Sequence, residues 1–92
     1  MNITCFTDYT PPTATDLVRL KDELGFTGTQ MAELVGVSSN SQWRKYTCGE
    51  TPRPISSHIL FYTAAQLVLS ETEMNKVLTK MKSIGAKLQE LK

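Results

Sequence analysis

The chain has few of the residues that do chemistry. Its 92 residues include two cysteines, Cys5 and Cys48, and one histidine, His58. The cysteines form no CxxC pair, so no Cys/His zinc site of standard spacing can be assembled. A disulfide between them is not expected in a reducing compartment. His58 has no nucleophile or carboxylate partner identifiable near it, and there is no P-loop, GxGxxG or HExxH motif. The expectation is therefore a protein that is not an enzyme and needs no metal or cofactor. No apolar run approaches the roughly 20 residues that span a bilayer. The opening MNITCFTDYTPPT lacks the basic start and apolar stretch of a secretory signal. A cytoplasmic protein with no membrane segment is expected. Nor is there an excess of one charge: ten Lys and Arg against nine Asp and Glu leave a formal net charge of +1, which excludes a polycation.

The charge is unevenly spread along an ordinary globular composition, 40% hydrophobic and 21% charged. Residues 1–37 hold Arg19 and Lys21 against five carboxylates, whereas residues 39–53 hold Arg44, Lys45 and Arg53 against Glu50. A modest basic face is expected there, although charge alone does not name its partner.

Helical signals run through the chain and no stretch reads as a strand. Residues 1–12 read as an arm, because Tyr9-Thr10-Pro11-Pro12 resists helix. A first helix starts at Thr13 or Thr15 with Asp16 in its first turn, carries Leu17, Leu20 and Leu24, and stops at Gly25. Thr27-Gly28-Thr29-Gln30 has the form of a capping box. It opens a second helix with Met31, Leu34 and Val35 as core, closed by Gly36. Trp43 and Tyr46 mark a third helix that Gly49 closes. Beyond the break Thr51-Pro52-Arg53-Pro54, a fourth offers Ile55, Ile59, Leu60, Ala64, Leu67 and Val68 for burial. Ser70-Glu71-Thr72-Glu73 is another capping box, opening a helix that runs to the chain end. The fold class is all-α, about five helices, in one domain with residues 13–69 as its body and 70–92 as a C-terminal helix.

Between Leu20 and Pro54 the chain shows Gly25-Phe26-Thr27, then Met31-Ala32, then Gly36-Val37-Ser38. Trp43-Arg44-Lys45-Tyr46-Thr47-Cys48-Gly49 follows, with Pro52 and Pro54 beyond. This order resembles the helix-turn-helix of the Cro and lambda-repressor (XRE-like) family. The chain departs from the family pattern by one residue: Trp43 lies seven positions after Gly36 instead of six, so either the turn or the recognition helix is longer. The resemblance implies a compact lambda-repressor-like domain that binds double-stranded DNA, a bacterial or phage transcriptional regulator, and a homodimer on paired half-sites.

The physical reading runs in parallel. A small Ala32 lets two helices cross closely, and Val37 and Trp43 fill the angle between them. At about 100° per residue, Trp43, Tyr46 and Thr47 fall on one side of the third helix. Ser41, Arg44, Lys45 and Cys48 fall on the other. The rings hold the helix and the cations face outward. Side chains near a recognition-helix N-terminus read base edges, which selects Asn40, Ser41, Gln42, Arg44 and Lys45. Thr27, Thr29 and Gln30, at a helix N-terminus, and Arg53 suit phosphates.

In the last helix Val77, Met81, Ile84, Leu88 and Leu91 recur at steps of 4, 3, 4 and 3, a heptad seam suited to dimerisation. Two other readings stay open. The C-terminal helix can capture a partner protein, as in an antitoxin-like module, or the protein can bind DNA without sequence preference.

Overall fold

Every helix begins on a hydroxyl side chain. The computed structural model describes residues 8–88, and five helices run through them: α1 (Ala14–Leu24), α2 (Gly28–Val35), α3 (Asn40–Thr47), α4 (Ser57–Val68) and α5 (Glu71–Ile84). Their caps are Thr13, Thr27, Ser39, Ser56 and Ser70, each accepting a bond from a backbone N–H of the first turn. Both expected capping boxes form in full. The Thr27 N–H donates to Gln30 Oε1 at 2.8 Å and the Ser70 N–H to Glu73 Oε1 at 3.0 Å. A third box joins Thr13 to Asp16, with an aspartate as the reciprocating acid. There is no strand among the described residues, and the all-α expectation holds.

The core is small and lies where α2 and α3 meet. Leu17 of α1, Met31, Ala32 and Val35 of α2, Trp43 and Tyr46 of α3, and Ile55 are buried together. Leu20, Leu24, Phe26, Leu34, Val37 and Ile59 pack around them. α3 contacts α2 and α1, and α4 contacts α2. Ala32 is buried at the α2–α3 crossing, as its small size requires. α2 ends in a left-handed cap at Gly36, and Ser39 then caps α3, so the helix opens at Asn40, within one turn of Trp43.

Three expectations are corrected. α3 ends at Thr47, with Cys48 as an extended cap, one turn element before Gly49. α4 does not bury Ala64, Leu67 or Val68: its inward face is Ile59, Thr63 and Gln66. Thr63 is buried with its hydroxyl donating to the Ile59 carbonyl at 2.8 Å. Gln66 Nε2 donates to the Leu34 carbonyl at 2.7 Å and to the Tyr62 carbonyl at 3.2 Å, tying α4 to the end of α2. Finally, α5 stops at Ile84. Gly85 takes φ 131°, a backbone that only glycine enters readily, and its N–H turns back to Met81 and Lys82. Leu88 lies beyond the helix end and Leu91 lies outside the described residues.

α5 buries no residue. The radius of gyration, 14.7 Å, exceeds the ~12 Å of a fully compact chain of this length, and α5 makes no extensive contact with α1–α4.

Candidate nucleic-acid interface

α3 is eight residues long, NSQWRKYT, and its two sides have opposite chemistry. Trp43 (2% exposed) and Tyr46 (6%) enter the core. Their rings meet edge to face with centroids 6.5 Å apart, a geometry favoured by the aromatic quadrupole. Helical spacing then places Ser41, Arg44, Lys45 and Cys48 outward, and all four are exposed. The side-by-side rings and cations are thus separated by the helix itself.

The outward side forms a shallow, open depression of about 450 Å³ lined by Asn40, Ser41, Arg44, Lys45, Cys48 and Gly49. Four of the five expected base-reading residues are brought together there. Gln42 is not: it lies on the flank of α3, half-buried, outside the lining. Among the described residues no carboxylate lies within ion-pair distance of Arg44 or Lys45; the ion pair present joins Arg19 to Asp16 at 3.3 Å. The cations also sit in the last turn of α3, where they complement the helix dipole. That local role and the display of positive charge coexist.

Arg53 is set beside the same surface by backbone bonding. Its N–H donates to the Lys45 carbonyl at 2.7 Å, folding the 48–54 loop along α3. Its side chain is exposed. At the other end, the N-terminus of α2 abuts the N-terminus of α3. A Cβ on Gly28 would collide with Oδ1 and Cγ of Asn40. Gly28 is therefore the residue that lets Asn40 settle against α2, and Asn40 connects the expected phosphate-facing group to the depression. Thr29 is exposed there. The Thr27 hydroxyl accepts from the Gln30 N–H at 3.1 Å, so its own hydrogen remains a donor. The Gln30 carbonyl is committed to the capping box, which leaves its amide NH₂ to face outward chemistry.

Cys48 is an exposed thiol at the edge of the depression. A hydrogen bond with the Thr47 hydroxyl, at 3.6 Å, and then bonding and charge from Arg44 hold its pKa below the ordinary thiol value. Among the described residues no group of His, Cys, Asp and Glu is arranged to hold a metal ion, and no helix is long and apolar enough to cross a membrane.

Compared with models of known families, with curated proteins and with solved structures, the chain matches none. The geometry of α3 and its neighbours therefore carries the functional reading.

Of the expected seam residues, Val77, Met81 and Ile84 lie exposed along α5, while Leu88 falls after the helix. Sequence reasoning missed the residues that tie the end of α2 and the backbone at Ile55 to the rest of the domain. Tyr62 packs its ring over Gly36, 3.1 Å from where a Cβ would stand. Gln66 anchors the end of α2, and Tyr9 donates its hydroxyl to the Ile55 carbonyl at 2.7 Å. Burial raises the Tyr9 pKa above the ordinary phenol value. Only the aromatic character of Tyr9 and Tyr62 hinted at such contacts.

Proposed function

We propose that the protein is a sequence-specific DNA-binding transcriptional regulator that places α3 in the major groove. The observation that carries the reading is the outward face of α3: Asn40, Ser41, Arg44 and Lys45 share one exposed depression, behind which Trp43 and Tyr46 fix the helix in the core. A short helix with an amide side chain at its first turn and a guanidinium and an ammonium on the same exposed side in its last turn offers the chemistry that base edges bind. Arg44 suits guanine and Asn40 suits adenine, each worth about 1–3 kcal/mol of discrimination when bidentate. Arg53, Thr27, Thr29 and Gln30 flank that face and contact phosphates, fixing orientation without reading sequence.

In this reading the protein is cytoplasmic and acts as a homodimeric repressor of bacterial or phage type. Two copies of α3 enter major-groove segments about 34 Å apart on an inverted repeat. A second reading, a module whose C-terminal helix captures a partner protein, draws on the exposed apolar stripe of α5.

The direct test titrates the protein into a fluorescent duplex of mixed sequence at several salt concentrations, followed by anisotropy. Binding that weakens steeply with salt, and falls further when Arg44 and Lys45 are both changed to alanine, supports the reading. No binding at low salt by a folded protein sinks it.

A further inference from the structure

α4 is apolar on the side that the body of the protein does not use. Its sequence, SHILFYTAAQLV, contains no Asp, Glu, Lys or Arg. Ile59, Thr63 and Gln66 face α2 and the core. Helical spacing sets Phe61, Ala64 and Val68 on the opposite side. Phe61 is 59% exposed and Val68 78% exposed, with Leu67 beside them. α5 adds Val77, Met81 and Ile84, the last 76% exposed. Apart from Tyr9 and Val18, the large exposed apolar side chains among the described residues all lie on these two helices.

We propose that the outer face of α4 is the docking surface for a second copy of this chain, packing α4 against its two-fold mate with the α5 stripes extending the contact. This rests on the dimeric reading above and moves its centre from the α5 seam to α4. Two observations favour a second copy over another partner. A two-fold interface sets a patch against itself, so any charge at its centre meets its own like. α4 is the one helix among the described residues with no such charge, whereas α5 carries Glu71, Glu73, Lys76, Lys80 and Lys82. The exposed area bears on the same point: Phe61, Leu67 and Val68 on α4 leave roughly 350 Å² of side chain in water, and Val77, Met81 and Ile84 on α5 bring the sum to roughly 600 Å², so the ~800 Å² per partner of a stable interface needs both helices and their polar rim. Ala64, between Phe61 and Val68, provides the small residue at which two helices approach closely. The Gly85 stop leaves only about two turns of seam on α5, too short for a coiled coil to hold two copies by itself.

The test is the mass of the full chain in solution, measured without DNA by sedimentation equilibrium. Wild type, Phe61→Glu, Val68→Glu and Met81→Glu are compared across roughly 1–100 μM, a range that brackets micromolar dissociation constants. All three sites are exposed, so native far-UV circular dichroism is expected throughout and is recorded for each. The proposal expects a wild-type dimer, and association weakened at least about 100-fold by either α4 change because it desolvates a charge. Met81→Glu should weaken it less. A wild-type monomer overturns the proposal, as does a dimer that survives both α4 changes. Failure of the DNA reading is distinguishable: a dimer dissolved by the α4 changes that binds no duplex leaves this surface assigned and removes the regulator.

Discussion

Trp43 and Arg44 are neighbours in the chain and should respond to truncation in opposite ways. Burying the Trp43 side chain removes on the order of 200 Å² from water, worth about 5 kcal/mol at 25 cal/mol/Å². Truncation to alanine returns somewhat less because neighbours relax, and buried aromatics typically lose about 3–5 kcal/mol. The edge contact with Tyr46, at 6.5 Å between centroids, is lost as well. A chain of this size holds roughly 5–14 kcal/mol in total, and with only seven buried apolar residues among those described the lower end applies. Trp43→Ala should therefore be marginally folded. At a urea slope near 1 kcal/mol/M its midpoint falls by about 3–5 M. Arg44, exposed and without an ion-pair partner among the described residues, should change stability by under ~1 kcal/mol when truncated, mainly through the helix dipole. Urea titrations followed by far-UV circular dichroism read both variants, since Trp43 is the sole tryptophan and its removal ends the fluorescence signal. A Trp43→Ala loss below about 1 kcal/mol refutes the packing argument. Equal losses in the two variants refute the division of α3 into a holding side and a displayed side.

Other outcomes follow from the same geometry. Arg44→Ala should relax preference at one base pair per half-site, while Arg53→Ala weakens all duplexes about equally and lowers the salt slope by about one; competition binding with single-base variants separates the two. Gly28→Ala gains helix propensity but displaces Asn40, so its stability should shift by under ~1 kcal/mol while its base preference changes; an unaltered preference detaches Asn40 from readout. Gln66→Ala leaves the Leu34 carbonyl without this donor and should destabilise by about 1–2 kcal/mol in denaturant titration. The Asp16 carboxylate accepts the Thr13 N–H, while the Asp16 N–H donates to the Thr13 hydroxyl oxygen; hydrogen bonding from Thr13, and then the Arg19 charge, hold the carboxyl below the usual range. A depressed folded pKa means its contribution is present above the unfolded value of about 3.9 and disappears as pH falls through the lower folded value. Asp16→Asn should flatten the acid limb of a melting-temperature profile, and an unchanged limb would discount the cap.

The helices were legible because their ends are written in local chemistry. Thr27 and Gln30, or Ser70 and Glu73, need only each other and the backbone to make a box. Trp43 and Tyr46 were legible for a related reason, since a three-residue step among polar residues leaves one helical side to bury. α4 was read wrongly where periodicity carries no information. A helix apolar almost all round does not announce its inner face, and here polar bonds from Thr63 and Gln66 decided it. At α5 the heptad spacing of Leu88 and Leu91 outweighed Gly85 in the reading, although a glycine at φ 131° ends a helix whatever follows. Arg44, Lys45, Ser41 and Asn40 were found together because helix geometry alone sets their direction. The Gly28–Asn40 approach was not, because it depends on how two helices meet.

Selection from a random duplex library is the direct test of the proposed reading of DNA sequence by α3. Purified protein at near-physiological salt retains bound duplexes over several rounds, and the survivors are sequenced. Enrichment of an inverted repeat with half-site centres about one helical turn apart is expected, lost or altered at one position per half-site with Arg44→Ala. A folded protein that enriches no sequence, or an Arg44→Ala variant that enriches the same repeat unchanged, contradicts it.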